Sequence, residues 1–183
     1  MRDTSLLDTL LLRLTGCDRR SIGQAGAVAA DVLLDPHGFD SLWRGLRHAD
    51  ALVRMRAADA LEKVTRRQPA WLAPYKAEFL ALLADAEQKE VRWHLAQMAP
   101  RLPLDEAERD FVLSLLKCHL NDRGSIVRTC AMQAIAELSA DCPRRRAEAV
   151  ALIESLIPRG TPAMKARGRK LLARLGALTK ERP

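Results

Sequence analysis

Aromatic side chains are scarce in this chain, with one tyrosine, three phenylalanines and three tryptophans among 183 residues. Runs of Val, Thr and Tyr are few as well, which argues against a β-rich fold, because pleated surfaces select aromatic and β-branched residues. No stretch approaches the ~20 uninterrupted apolar residues that a membrane span needs. The N-terminal MRDTSLLDTLLLRLTG is broken by Asp3, Asp8 and Arg13, so it lacks the continuous apolar segment of a secretory signal. A soluble cytoplasmic protein is the expectation, with no membrane partner. Cysteine is limited to Cys17, Cys118, Cys130 and Cys142, without a CxxC pair, so no disulfide framework is expected. The one zinc set on offer is Cys118, His119, Cys130 and Cys142. Structural zinc draws its ligands in close pairs on turns, and three of these four fall inside expected helices, so we expect buried or half-buried thiols, no metal and no cofactor. Catalytic signatures are missing too: no GxSxG, no HExxH and no phosphate-cradling glycine loop occurs. A non-enzyme is the reading.

Ala, Leu, Arg and Glu dominate what remains, and all four form helices readily. The net charge of +7 lies entirely at one end: residues 141 to 183 hold eleven Lys/Arg against four Asp/Glu, and residues 1 to 140 hold nineteen of each sign.

One pattern recurs. ALVRMRAADALEKV (51–64), KEVRWHLAQMAPRL (89–102) and SIVRTCAMQAIAEL (125–138) align on a Val-Arg step. Val53, Val91 and Val127 share a column, as do Ala57, Leu95 and Ala131, then Ala60, Met98 and Ala134, then Leu61, Ala99 and Ile135. Offsets of 0, 4, 7 and 8 mark one face of a helix. A fourth copy, AMKARGRKLLARL (163–175), places Met164, Gly168, Leu171 and Leu172 in those columns, and SIGQAGAVAADVL (21–33) is a degenerate first copy. Ahead of each clear copy lies a second apolar helical segment: 39–48, 73–84, 106–120 and 145–157. Turn residues join the two, among them Asp50, Asp85 and the Asn121-Asp122 pair with Gly124. Pro36, Pro69, Pro103 and Pro143 separate one unit from the next.

Helix pairs repeating every 36 to 38 residues predict an all-α fold, an α-solenoid of stacked antiparallel helix pairs. The expected organisation is a single domain over 1–183. Residues 1–35 form a degenerate unit, 39–67, 73–102, 106–141 and 145–175 the clear units, and 176–183 a basic tail. The Val-Arg step after an Asp or Asn turn, followed by small and apolar positions, resembles the HEAT repeat family of armadillo-type superhelices over about residues 39 to 175. That resemblance implies a fold rather than an activity, since such repeats serve scaffolds, transport factors and a few enzymes.

Turning ~100° per residue from Val53, the opposite ridge of the second helices carries Met55, Asp59, Glu62 and Arg66, then Trp93, Gln97 and Pro100, then Thr129, Gln133 and Ala136. Ala166, Lys170 and Ala173 continue it, and Gln24 and Val28 open it. The HEAT resemblance implies that these helices line a concave surface. Met55, Asp59, Trp93, Gln97, Thr129 and Gln133 are therefore the candidate binding ridge, with Trp93 as anchor for a protein or peptide. A second column, Arg54, Arg92, Arg128 and Lys165, is expected to pair with the turn acids Asp50, Asp85 and Asp122. The alternative surface is basic: Arg144, Arg145, Arg146, Arg167, Arg169, Lys170 and Arg174 suit nucleic acid or serve as the polar cap of a terminal repeat. More remotely, Asp59 and Trp93 resemble the carboxylate and tryptophan of a HEAT-like class of alkylpurine DNA glycosylases, although the basic groove of that class is not visible. The expected function is a non-catalytic, protein-binding scaffold.

Overall fold

The computed structural model describes residues 9–18 and 21–180. Among them the protein is all-α, without a strand. A helical stretch over residues 9–12 precedes nine α-helices. These are α1 (Ala25–Leu34), α2 (Gly38–Arg44), α3 (Ala51–Arg67), α4 (Lys76–Asp85), α5 (Lys89–Met98), α6 (Glu106–His119), α7 (Ser125–Leu138), α8 (Pro143–Leu156) and α9 (Pro162–Lys180). Three short 3-10 segments, Gly45–Arg47, Pro69–Tyr75 and Ala99–Arg101, extend α2, lead into α4 and extend α5. The chain divides into two compact units, Met1–Leu102 and Pro103–Pro183.

Local chemistry sets the helix ends. The Asp50 carboxylate accepts the Leu52 N–H at 2.8 Å and caps α3. Asp105 and Glu108 form a reciprocal capping box at the start of α6, at 2.8 and 2.9 Å. Proline opens α8 and α9, where its missing N–H costs no helix hydrogen bond.

In the first unit, α3 packs between α1 and α5 and also against α2. Its enclosure follows from its sequence: Leu52, Val53, Ala57, Ala58, Ala60, Leu61 and Val64 occupy most of its circumference, and all are buried. Gly45 lies so close to α3 that a Cβ there would stand 2.8 Å from the Ala57 Cβ. Five of the seven aromatic residues gather beside this core. Phe39 and Trp43 of α2 meet Trp71, Tyr75 and Phe79 with ring centroids 4.8 to 6.3 Å apart, and the Trp43 indole N–H donates to Glu78 at 3.0 Å. Aromatic poverty is thus offset locally, by concentration.

In the second unit α7 packs against α6, α8 and α9, and α8 against α9. Val127, Ala131, Ala134 and Ile135 of α7 are buried together with Met164, Gly168 and Leu171 of α9. Gly168 is a point of close approach, since a Cβ there would fall 2.8 Å from Ile157 Cγ1. The aligned apolar columns are therefore buried in both units, with Leu172 alone half-exposed.

Some expectations need correction. Residues 176–180 continue α9 rather than forming a separate tail, because Leu175 is still anchored in the core; residues 181–183 and 1–8 of the proposed terminal segments lie outside the described residues. Cys17 and Cys118 are exposed rather than buried, and Cys130 and Cys142 are half-buried. Among the described residues no group of three or more His, Cys, Asp or Glu could hold a metal ion. No helix among them is long and apolar enough to cross a membrane.

Candidate functional site

Four of the six ridge residues lie in the first unit. Met55 and Asp59 stand one turn apart on α3, and Trp93 and Gln97 one turn apart on the adjoining α5. Met55, Asp59 and Trp93 are half-buried and Gln97 is exposed. Met55 also lines a cleft of about 450 Å³ where the first turns of α3 and α5 meet, with Ala51, Leu52, Arg54, Gln88, Lys89 and Glu90 around it. The lining is mixed: Ala51, Leu52 and Met55 are apolar, and Arg54, Lys89 and Glu90 bring charges of both signs.

Beneath the ridge lies a polar network. Asp59 is bound by Lys63, one turn on, and its other oxygen is 3.9 Å from His94 Nε2. His94 is 8% exposed, its ring meets Trp93 edge-on at 5.6 Å, and its Nδ1 is buried without a hydrogen-bond partner. Burial pushes the imidazole pKa down to about 4, against the opposing pull of Asp59 and Glu62, so His94 is neutral at pH 7. Glu62 receives Arg66 and Arg101, each at 2.5 Å. Burial alone would raise the Glu62 carboxyl, but hydrogen bonds from these two guanidinium groups outweigh it and hold the group below its ordinary range. Arg101 also donates to the Glu62 carbonyl at 2.8 Å and to Thr65 Oγ1 at 2.7 Å, tying the 3-10 segment after α5 back to α3. Glu62 was expected on the open ridge; it is 5% exposed because α5 and this segment cover that side of α3. Val28 and Ala136, assigned to the same ridge, are also buried.

Thr129 and Gln133 share a face of α7 in the second unit, both half-buried. Thr129 Oγ1 donates to the Ser125 carbonyl at 2.7 Å, and the Gln133 amide donates to Glu137 at 2.7 Å while accepting from Arg167.

The basic cluster separates into two kinds of residue. Arg145 and Arg146 are turned inward, 5% and 6% exposed. Arg145 is held by Glu106 and, at 2.9 Å, by Asp110, while Arg146 donates to the carbonyls of Ala140 at 3.1 Å and Leu178 at 2.8 Å. Arg144 is exposed and paired with Glu148 at 2.7 Å. Arg167, Arg169, Lys170 and Arg174 are exposed on α9.

Arg54, expected to pair with the turn acid Asp50, instead donates to the carbonyls of His48 at 2.7 Å and Ala49 at 2.8 Å and to Gln88 at 2.9 Å. Arg92 reaches the Glu87 carbonyl at 2.6 Å. Asp50 is occupied in capping α3, and the carbonyls exposed at the turn are the acceptors left for a guanidinium.

Sequence reasoning missed Arg56 altogether. This residue is 4% exposed and donates to the carbonyls of Leu14, Thr15, Asp18 and Ser21 at 2.5 to 3.2 Å, organising the loop ahead of α1. Gly23, at φ +53°, is required there, because a Cβ would stand 2.8 Å from the guanidinium carbon. The signal was available: Arg56 sits three residues after Val53, on the apolar side of the helix.

No protein-family model matches the chain, and no curated protein matches it in sequence.

Proposed function

We propose that the protein is a non-catalytic binding scaffold, a HEAT-like α-solenoid of the cytoplasm that holds a protein or peptide on the face formed by its second helices. The observation that carries the reading is the half-exposed Trp93 on α5, beside the Met55-lined cleft. Trp and Met are contact residues of choice where a partner's side chain must be buried and its backbone met by a donor: the indole offers both an apolar body and an N–H. The groups that could do proton chemistry nearby have structural employment. Asp59 is held by Lys63, Glu62 by two arginines, and His94 is buried and neutral. That arrangement supports a stiff platform more than a reactive centre.

The test is selection of peptides from a random display library on the immobilised full chain, followed by affinity measurement on wild type and Trp93→Ala. An anchor is worth about 2 kcal/mol, so the variant should bind roughly 30-fold more weakly while keeping the wild-type denaturation midpoint. Equal affinity of the two proteins, or loss of binding explained by loss of folding, would overturn the assignment of Trp93.

A further inference from the structure

Helix α9 carries a charge distribution that the peptide-binding reading leaves unused. From Ser155 to Lys180 the chain contains no acidic residue at all. The buried stripe of α9, with Met164, Leu171 and Leu175, is covered by α7 and α8. The open side presents Arg167, Arg169, Lys170 and Arg174. Their neutralisation is slight: Arg167 donates to the uncharged Gln133, Arg174 lies 3.8 Å from Glu137, and Arg169 and Lys170 have no ion pair among the described residues. Within the helix, Lys165 and Arg169, and Lys170 and Arg174, are like charges one turn apart, and the first turn holds no acid to meet the helix dipole. Both features cost helix stability. A helix that only needed a soluble outer face would carry charges of mixed sign.

We infer that the open face of α9 binds the phosphate backbone of double-stranded nucleic acid, without reading its sequence. Arg167, Lys170 and Arg174 follow one another at steps of three and four residues, about 4.5 and 6 Å along the axis, and form one line of cations. Guanidinium groups suit phosphate oxygens because their fork donates two parallel hydrogen bonds. The uncharged residues exposed along this part of α9 are alanines, at positions 163, 166, 173 and 177. Alanine gives a protein partner no side chain to anchor and gives a bilayer little to insert, since Met164, Leu171 and Leu175 are buried and only Leu172 of the aligned columns is half-exposed. A phosphate backbone is the partner that binds on charge alone.

The experiment is fluorescence anisotropy of a labelled mixed-sequence DNA duplex, titrated with the full chain between 50 and 200 mM salt. Four phosphate contacts give a slope of about −3.6 in log K against log salt, or roughly 150-fold weaker binding across that range. The triple variant Arg167→Gln, Lys170→Gln, Arg174→Gln should lower the slope by about three, whereas Arg67→Gln, which removes one exposed charge from α3, should leave it unchanged. Circular dichroism checks that the triple variant keeps its helices. Three results would overturn the inference: no binding at 50 mM salt, a slope that the triple variant does not change, or polyglutamate bound as tightly as the duplex. The last would reassign the face to acidic polypeptides.

Discussion

His94 shows how one side chain can link packing to pH. Asp59, Glu62, Lys63 and Arg101 surround it, and burial outweighs the two carboxylates, so the native state holds it neutral down to about pH 4. The unfolded chain protonates it near 6.5. Between those values the unfolded state binds more protons, so stability is highest above pH 6.5 and is lost as pH falls toward 4. One pKa unit corresponds to about 1.4 kcal/mol, which makes the loss about 3 kcal/mol. Glu62, whose carboxyl is held below its ordinary range, adds a further loss only at more acid pH. Urea denaturation midpoints of wild type should fall from pH 7 to pH 4, and those of His94→Gln should lack that limb. A wild type as stable at pH 4.5 as at pH 7 would remove His94 from the buried, neutral state. Legibility at this scale was uneven. Trp93 stood out because a large aromatic fell on the ridge opposite the core. His94, Glu62 and Arg101 form their network across two elements, and nothing in the local periodicity of either announces the partner. Arg145 and Arg146 are a different case. They precede Ala149 and Ile153 by helical spacings of four and seven residues, so the periodicity placed them on the buried face of α8, while counting them as charge placed them on the surface.

Elements were far easier to read, because burial repeats along a helix and partner choice does not. All four clear second-helix copies, and the looser first, coincide with α3, α5, α7, α9 and α1. What periodicity missed were the 3-10 segments, where Gly45, Pro74 and Pro100 interrupt regular hydrogen bonding and the apolar pattern runs on regardless. The small-residue column has a direct physical meaning: Ala57 faces Gly45, and Gly168 faces Ile157, each within the space of one methyl group. Ala131 occupies the same column of α7 and is fully buried among helices α6, α8 and α9. Ala131→Leu inserts three carbons where the helices already touch. Overpacking of this kind costs roughly 1–3 kcal/mol, to be read as a lowered urea midpoint with an unchanged slope. An unaltered midpoint would mean that α7 can move aside, and the column would lose its meaning as a packing constraint.

At the scale of the whole molecule the two proposed anchoring sites belong to different compact units: Trp93 and the Met55-lined cleft lie within residues 1–102, and the cationic face of α9 within 103–183. Composition located the second of these, since the excess positive charge is confined to residues 141–183, whereas the sequence was read as a single domain. The physics of the two surfaces differs as well. Trp93 buries apolar area, which salt scarcely weakens, whereas the α9 cations exchange counterions for phosphates and respond steeply to salt. Trp93 and the α9 cations Arg167, Lys170 and Arg174 belong to different compact units, and their energetic contributions are expected to add. In the full chain, Trp93→Ala should weaken a selected peptide about 30-fold and leave duplex affinity and its salt slope as in wild type. The Arg167, Lys170, Arg174 triple glutamine variant should do the opposite. With both sets of changes combined, each loss should keep its single-set size to within about 0.5 kcal/mol. Isothermal titration of peptide with and without saturating duplex provides the complementary measurement, and equal peptide affinities in the two titrations are expected. If duplex displaced the peptide, or if Trp93→Ala flattened the salt slope, Trp93 and the α9 cations would be energetically coupled, and their assignment to independent binding events would fail.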